Sequence, residues 1–133
     1  MARQPRRILI VDDLPDWCAT IGRLLTDEGY RVCVAESADK ALTLLTKTPV
    51  DLAVVDIRLD DSDEANVQGL DLADQIKRDW PAVQVIILTG YPTLHTVERV
   101  MQPRGAGSRC AEAYVEKDRP DELVKMVRQA LAT

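Results

Sequence analysis

Apolar residues along this chain follow two alternating rhythms. Short runs rich in β-branched residues read as strands: RILIVD from Arg7, RVCVAE from Arg31, DLAVVD from Asp51, VQVIIL from Val83 and EAYVEK from Glu112. Between them apolar residues recur at helical intervals. Trp17, Ile21, Leu24 and Leu25 form one stripe, and Ala38, Ala41, Leu42 and Leu45 a second. Leu70, Ala73 and Ile76 mark a third helix, Leu94, Val97 and Met101 a fourth, and Leu123, Val127 and Leu131 a fifth. Pro15 suits the first turn of the first helix and Gly29 its end. Ser37 and Asp121 suit entry to the second and fifth. Trp17 and Trp80, at the ends of stripes, are read as packing residues.

Strict alternation with short connections predicts a parallel sheet covered by helices on both faces, an α/β doubly wound fold. The first, third and fourth strands are almost unbroken apolar runs, as central strands buried on both sides should be. The second and fifth alternate more and belong at the edges. At 133 residues the chain has the size of one domain, residues 1–133 with a core at about 7–131.

Composition narrows the classes. The net charge of −5 opposes direct contact with nucleic acid or anionic membrane, which need a positive field. The basic start, Arg3, Arg6 and Arg7, reads as a solvated tail. No apolar run approaches the roughly 20 residues of a membrane helix, and no signal-peptide core is present, so a cytoplasmic location is expected. Cys18, Cys33 and Cys110 are odd in number and widely spaced, which predicts buried thiols rather than disulfides or a zinc site.

In a doubly wound sheet, ligands sit beyond the carboxyl ends of the strands. There the chemistry-bearing residues gather: Asp12 and Asp13 end the first strand, Asp56 the third and Lys117 the fifth, and Thr89 follows the fourth. Neighbouring strands lie about 5 Å apart, so these side chains can share one small ligand. Three carboxylates that close cannot all stay ionised unaided. A divalent cation resolves the conflict, and Mg²⁺ (or Mn²⁺ in its place) suits a site of a few carboxylates completed by water, carbonyl and phosphate oxygen. Asp56 is then free to present one oxygen as a nucleophile, with Lys117 and Thr89 facing the phosphoryl oxygens. Singly, an Asp at a strand end is a cap or turn residue, a Lys is solvated and a Thr before Gly is a turn residue. It is the ordered set of five that argues for a site.

The stretches ILIVDD, DLAVVDIRL, VIILTG and AYVEK resemble the receiver domain of bacterial two-component response regulators, over about Arg7 to Leu131. The resemblance implies a flavodoxin-like five-stranded sheet of order 2-1-3-4-5. It also implies Asp56 as phosphoacceptor, and Mg²⁺ held by Asp12, Asp13, Asp56 and the backbone carbonyl of Arg58. Thr89 and Tyr114 become a switch pair, and a sensor histidine kinase or histidine phosphotransfer protein the donor. The output surface would be the fourth helix, fifth strand and fifth helix, meeting a downstream protein or a second copy as a homodimer. No effector segment follows the fifth helix in this sequence, so output through a partner, a phosphorelay or an output domain outside this sequence is expected.

Three departures stand out. Asp118 follows Lys117 where the family has a proline after a cis bond. Cis geometry before a non-proline costs about 2.5–4 kcal/mol, so a different loop is expected. The acidic stretch Asp60 to Asn66 is an insertion, read either as a solvated loop or as a selector of kinase or metal affinity. It lacks the glycine of a calcium loop. The loop MQPRGAGSRCAEAY is also long, either a tolerated insertion or part of a partner surface. His95 has no ligand partner nearby in sequence and reads as a surface residue.

Two other readings compete. A Mg²⁺-dependent phosphohydrolase would space its acids Asp-x-Asp after the first strand, whereas here Leu14 takes the second place. A phosphate-independent scaffold would have lost an acid or the lysine, and neither is lost. The absence of G-x-G-x-x-G after the first strand counts against a dinucleotide enzyme. Arg58 and Tyr91 lie two residues beyond Asp56 and Thr89, positions that flank the phosphoryl pocket in receivers. Both are bulky and should obstruct hydrolytic water, so the doubly substituted Arg58→Asn, Tyr91→Ala protein is expected to lose an acyl phosphate faster. An unchanged decay rate would count against this role.

Overall fold

The computed structural model describes residues 6–12, 14–56, 68–89, 113–116 and 119–131. In chain order these form β1 (Arg7–Val11), α1 (Pro15–Asp27), β2 (Arg31–Ala35), α2 (Ala38–Lys47), β3 (Leu52–Asp56), α3 (Gln68–Asp79), β4 (Gln84–Thr89), β5 (Ala113–Glu116) and α4 (Pro120–Leu131). The strands make one parallel sheet of order β2-β1-β3-β4-β5, the expected doubly wound order. β2 and β5 are its edges, as their alternating patterns predict. The fourth helical stripe, Leu94 to Met101, and His95 lie outside the described residues, as does the acidic insertion.

Strand alternation divides the core into two layers. Leu9, Val11, Ala53, Val55, Val85 and Ile87 pack with Ala41 and Leu45 of α2 and Ala73 and Ile76 of α3. Their neighbours Ile8, Ile10, Leu52, Val54, Ile86 and Leu88 point the other way, to Cys18, Ile21 and Leu25 of α1 and Leu123, Val127 and Leu131 of α4. Full burial of one such aliphatic side chain contributes about 1.5–3 kcal/mol, so the central strands carry much of the fold's stability. Trp17 and Trp80 pack, half-buried, against opposite layers.

Helix boundaries follow local chemistry. Pro15 occupies the first turn of α1, where its missing N–H costs nothing. Gly29 follows α1 with φ of 98°, a left-handed conformation that a glycine adopts without strain. The Ser37 hydroxyl accepts a hydrogen bond from the backbone N–H of Lys40 at 3.2 Å, capping α2.

Four local expectations need correction. Leu24 is exposed, because α1 turns Cys18, Ile21 and Leu25 inward instead. α4 begins at Pro120, whose ring fixes a helical φ, so Asp121 stands in the first turn, where its charge still suits the helix dipole. Thr89 is the last residue of β4 rather than the residue after it. Arg6 and Arg7 are not a loose tail. Arg6 lies 3.6 Å from the Asp51 carboxylate, and the backbone N–H of Arg7 donates to Asp51 at 2.8 Å, fixing β1 beside β3.

Gly22 sits in the middle of α1, and a Cβ there would meet Val32 Cγ1 at 3.6 Å, an ordinary contact. Gly22→Ala should therefore stabilise the fold by about 0.5–1 kcal/mol through helix propensity. Chemical denaturation should show a raised midpoint with unchanged slope.

Candidate functional site

Pairing in register puts acids of two central strands side by side. Val11 pairs with Val55, so Asp12 and Asp56 follow as the next neighbours, about 5 Å apart along the ladder direction. Alternation sends both toward the layer of α1 and α4. These two are the buried charged residues among those described, with 1% and 3% of their surfaces exposed. Burial of ionisable groups is costly, so a pair kept at one sheet edge calls for compensating charge or hydrogen bonds.

Asp12 has several jobs. Its backbone N–H donates to the Ala35 carbonyl at 3.1 Å, tying the end of β1 to β2. Its Oδ1 accepts from the Leu14 N–H at 3.0 Å, an Asx turn that steers the chain into α1. Its carbonyl accepts from the Cys18 thiol at 3.5 Å. The ordinary role of a strand-end Asp as a turn residue is thus realised here together with its place in an acidic pair.

The sheet continues this row. Asp56 pairs with Leu88, and Thr89 pairs with Glu116, so the backbones of Thr89 and of the residue before Lys117 reach the same edge as the two acids. Tyr114 lies on β5 opposite Ile87. The side chains of Thr89 and Tyr114 are outside the described set, as are Asp13, Arg58, Tyr91, Lys117 and Asp118. Of the eight residues expected at the site, the described geometry brings together Asp12, Asp56 and the backbone of Thr89.

Sequence reasoning missed Glu36. It directly follows β2, at the same carboxyl edge, and it borders a cavity together with Asp12 and Cys18. The rule applied to the first, third, fourth and fifth strands, that residues ending a strand face the site, finds it in RVCVAE as well.

As a donor set, Asp12 and Asp56 fit a hard divalent cation. Both offer carboxylate oxygen and neither is a soft ligand, which matches Mg²⁺ or Mn²⁺ rather than a thiophilic metal. The Cys18 thiol donates to the Asp12 carbonyl, the Cys33 thiol lies partly buried on β2 and donates to the Ile8 carbonyl at 3.7 Å, and Cys110 is outside the described residues. Among the described residues, no helix is long and apolar enough to cross a membrane.

This sheet order, with acids at the ends of its central strands, agrees with the fold that the resemblance implies. The sequence pattern of the response regulator receiver domain matches residues 8–128, and the chain belongs to that family. It is 35% identical, over 95% of its length, to the nitrogen assimilation regulatory protein NtrX of Azorhizobium caulinodans. It is 37% identical, over 71% of its length, to the transcriptional regulatory protein GlrR of Escherichia coli strain K12. It spans 26% and 20%, respectively, of those longer relatives. The crystal structure of response regulator protein TrrA from Thermotoga maritima, in complex with Mg(2+)-BeF, superposes with a TM-score of 0.76 at 29% identity, covering 95% of this chain and 99% of that one. The family is one of two-component signal transduction domains rather than of classical enzymes.

Burial pushes the Cys33 thiol above its ordinary value of 9.0, with the Arg7 guanidinium pulling it down by less. The folded chain therefore favours the protonated thiol. Its contribution to stability is complete below about pH 9 and is lost as pH rises through the raised value. As pH rises above 9.0 the melting temperature should fall less steeply for Cys33→Ala than for the parent, and parallel curves would reject this assignment.

Proposed function

We propose that this chain is a phosphorylation-operated switch in which Asp56 receives a phosphoryl group from a phosphohistidine of a sensor kinase or histidine phosphotransfer protein. The supporting observation is the placement of Asp56 beside Asp12, both nearly out of water, in a chain that belongs to the receiver family. A carboxylate oxygen of Asp56 attacks phosphorus as the P–N bond breaks. The departing imidazole takes the electron pair and then a proton.

Asp12, Asp13, Asp56 and the Arg58 carbonyl are the groups that would hold Mg²⁺, which supplies charge neutralisation to the phosphoryl oxygens when bound. The Mg(2+)-BeF complex of TrrA supports magnesium as the ion. Lys117 balances the added charge and Thr89 donates a hydroxyl. Phosphorylation adds roughly −1.5 to −2 charges and three acceptor oxygens, which draw Thr89 inward and let Tyr114 follow. The response passes to the surface of the expected fourth helix, β5 and α4, where a downstream protein or second copy binds. Arg58 and Tyr91 restrict water at the pocket, and the cytoplasm is the compartment such a relay requires.

Intact-mass measurement tests this reading. With Mg²⁺ and acetyl phosphate the protein should gain about 80 Da, and Asp56→Asn or a chelator should abolish the gain. Sustained turnover of a small phosphomonoester would favour the phosphohydrolase. Absence of labelling from any donor would leave a phosphate-independent scaffold.

A further inference from the structure

α1 begins without the device that usually fixes a helix to the strand before it. Its entry residue is Leu14, whose side chain offers no acceptor to the first-turn N–H groups, and Pro15 in the next position brings no N–H of its own. The connection from β1 is held by other means. The Asp12 carboxylate accepts from the Leu14 N–H at 3.0 Å. Cys18 reaches back from the end of the first turn with two groups: its backbone N–H donates to the Leu14 carbonyl at 3.0 Å, and its thiol donates to the Asp12 carbonyl at 3.5 Å. One residue of α1 thus grips the neighbours of Asp13 on both sides along the chain.

A thiol is a weak donor, so its effect here lies in where it is anchored rather than in its strength. Cys18 is 5% exposed and belongs to the core layer that packs α1 on β1 and β3. A donor fixed in that layer cannot follow a drifting carbonyl. The oxygen it holds is part of the planar peptide that joins Asp12 to Asp13, so restraining it restrains the direction in which the chain leaves the first acid. Water from the cavity that Asp12 and Cys18 both border can replace the thiol as donor, but a water molecule is not tied to the helix. Carboxylates set in advance lose less freedom when they take up a ligand, and tighter binding follows.

We propose that Cys18 is a positioning residue for the acidic site, its thiol holding the Asp12 carbonyl so that the two acids following β1 are set before a divalent cation binds. The inference rests on the reading of Asp12 and Asp13 as cation-holding groups, and it adds a residue that acts only through Asp12.

The test compares the 133-residue parent with Cys18→Ala, which removes the donor, and Cys18→Ser, which keeps one on a slightly shorter arm. Chemical denaturation of each variant establishes that it folds. Calorimetric titration with MgCl₂, in the absence of any phosphoryl donor, should give a dissociation constant about two- to tenfold higher for Cys18→Ala, the range that loss of one modest hydrogen bond implies. Cys18→Ser should restore most of the parent's affinity. In the metal-free protein the amide NMR signals of Asp13 and Leu14 should move in Cys18→Ala and return toward the parent positions in Cys18→Ser. A Cys18→Ala protein that is less stable but binds Mg²⁺ like the parent would make Cys18 a packing residue and overturn the proposal, as would a Cys18→Ser protein no better than Cys18→Ala. A parent chain that takes up no Mg²⁺ would instead overturn the functional reading beneath the proposal, so the two failures are told apart.

Discussion

Two carboxylates held in register and nearly out of water, Asp12 on the heels of β1 and Asp56 closing β3, set the terms for the rest of this structure. Nothing about an apolar sheet favours them, since an ion taken from water loses its hydration and a like-charged neighbour adds repulsion. They persist where the sheet ends, because there the chain must turn and a carboxylate has backbone N–H groups to accept from. The Asx turn from Asp12 to Leu14 illustrates this. The core meets the remaining cost. Central strands flanked by two packed layers place the acids by over-determining the backbone beneath them, so the site does not have to be stable by itself.

The fold was legible because each level of the sequence agrees with the next. β1, β3 and β4 need both faces apolar and are written as near-continuous apolar runs. The edge strands β2 and β5 alternate more, and α1 to α4 show stripes that match the layer each covers. Errors fell where two local signals competed. Leu24 fits a helical stripe that includes Trp17, but Cys18, one position along, takes the inward place. Asp121 has the chemistry of an entry residue, yet Pro120 beside it has the stronger backbone constraint. Arg6 and Arg7 looked like a tail because charge at a terminus usually is solvated, and only the partner Asp51, 44 positions beyond Arg7, shows otherwise.

The site was legible for a different reason. Strand-end positions can be read from the boundary of an apolar run, and parallel strands put all those boundaries on one edge. That logic located Asp12, Asp56 and the backbone of Thr89 together. It was not carried to Glu36, because the strand-end rule was applied only to the other four strands, although Glu36 directly follows β2. Nor could it find the cavity that Glu36 borders between α1 and β2, which arises from what α1 lacks. Small residues such as Ala19 and Gly22 carry no chemical signature in a sequence, and their effect appears only once a facing strand leaves the space unfilled.

Asp12 joins these features. It turns the chain into α1 and stands beside Asp56, so the same carboxylate belongs to the sheet edge and to the start of the helix. Because that turn both launches α1 and sets Asp12 beside Asp56, the entry of the helix and the spacing of the acidic pair are one constraint, fixed by the same stretch of backbone.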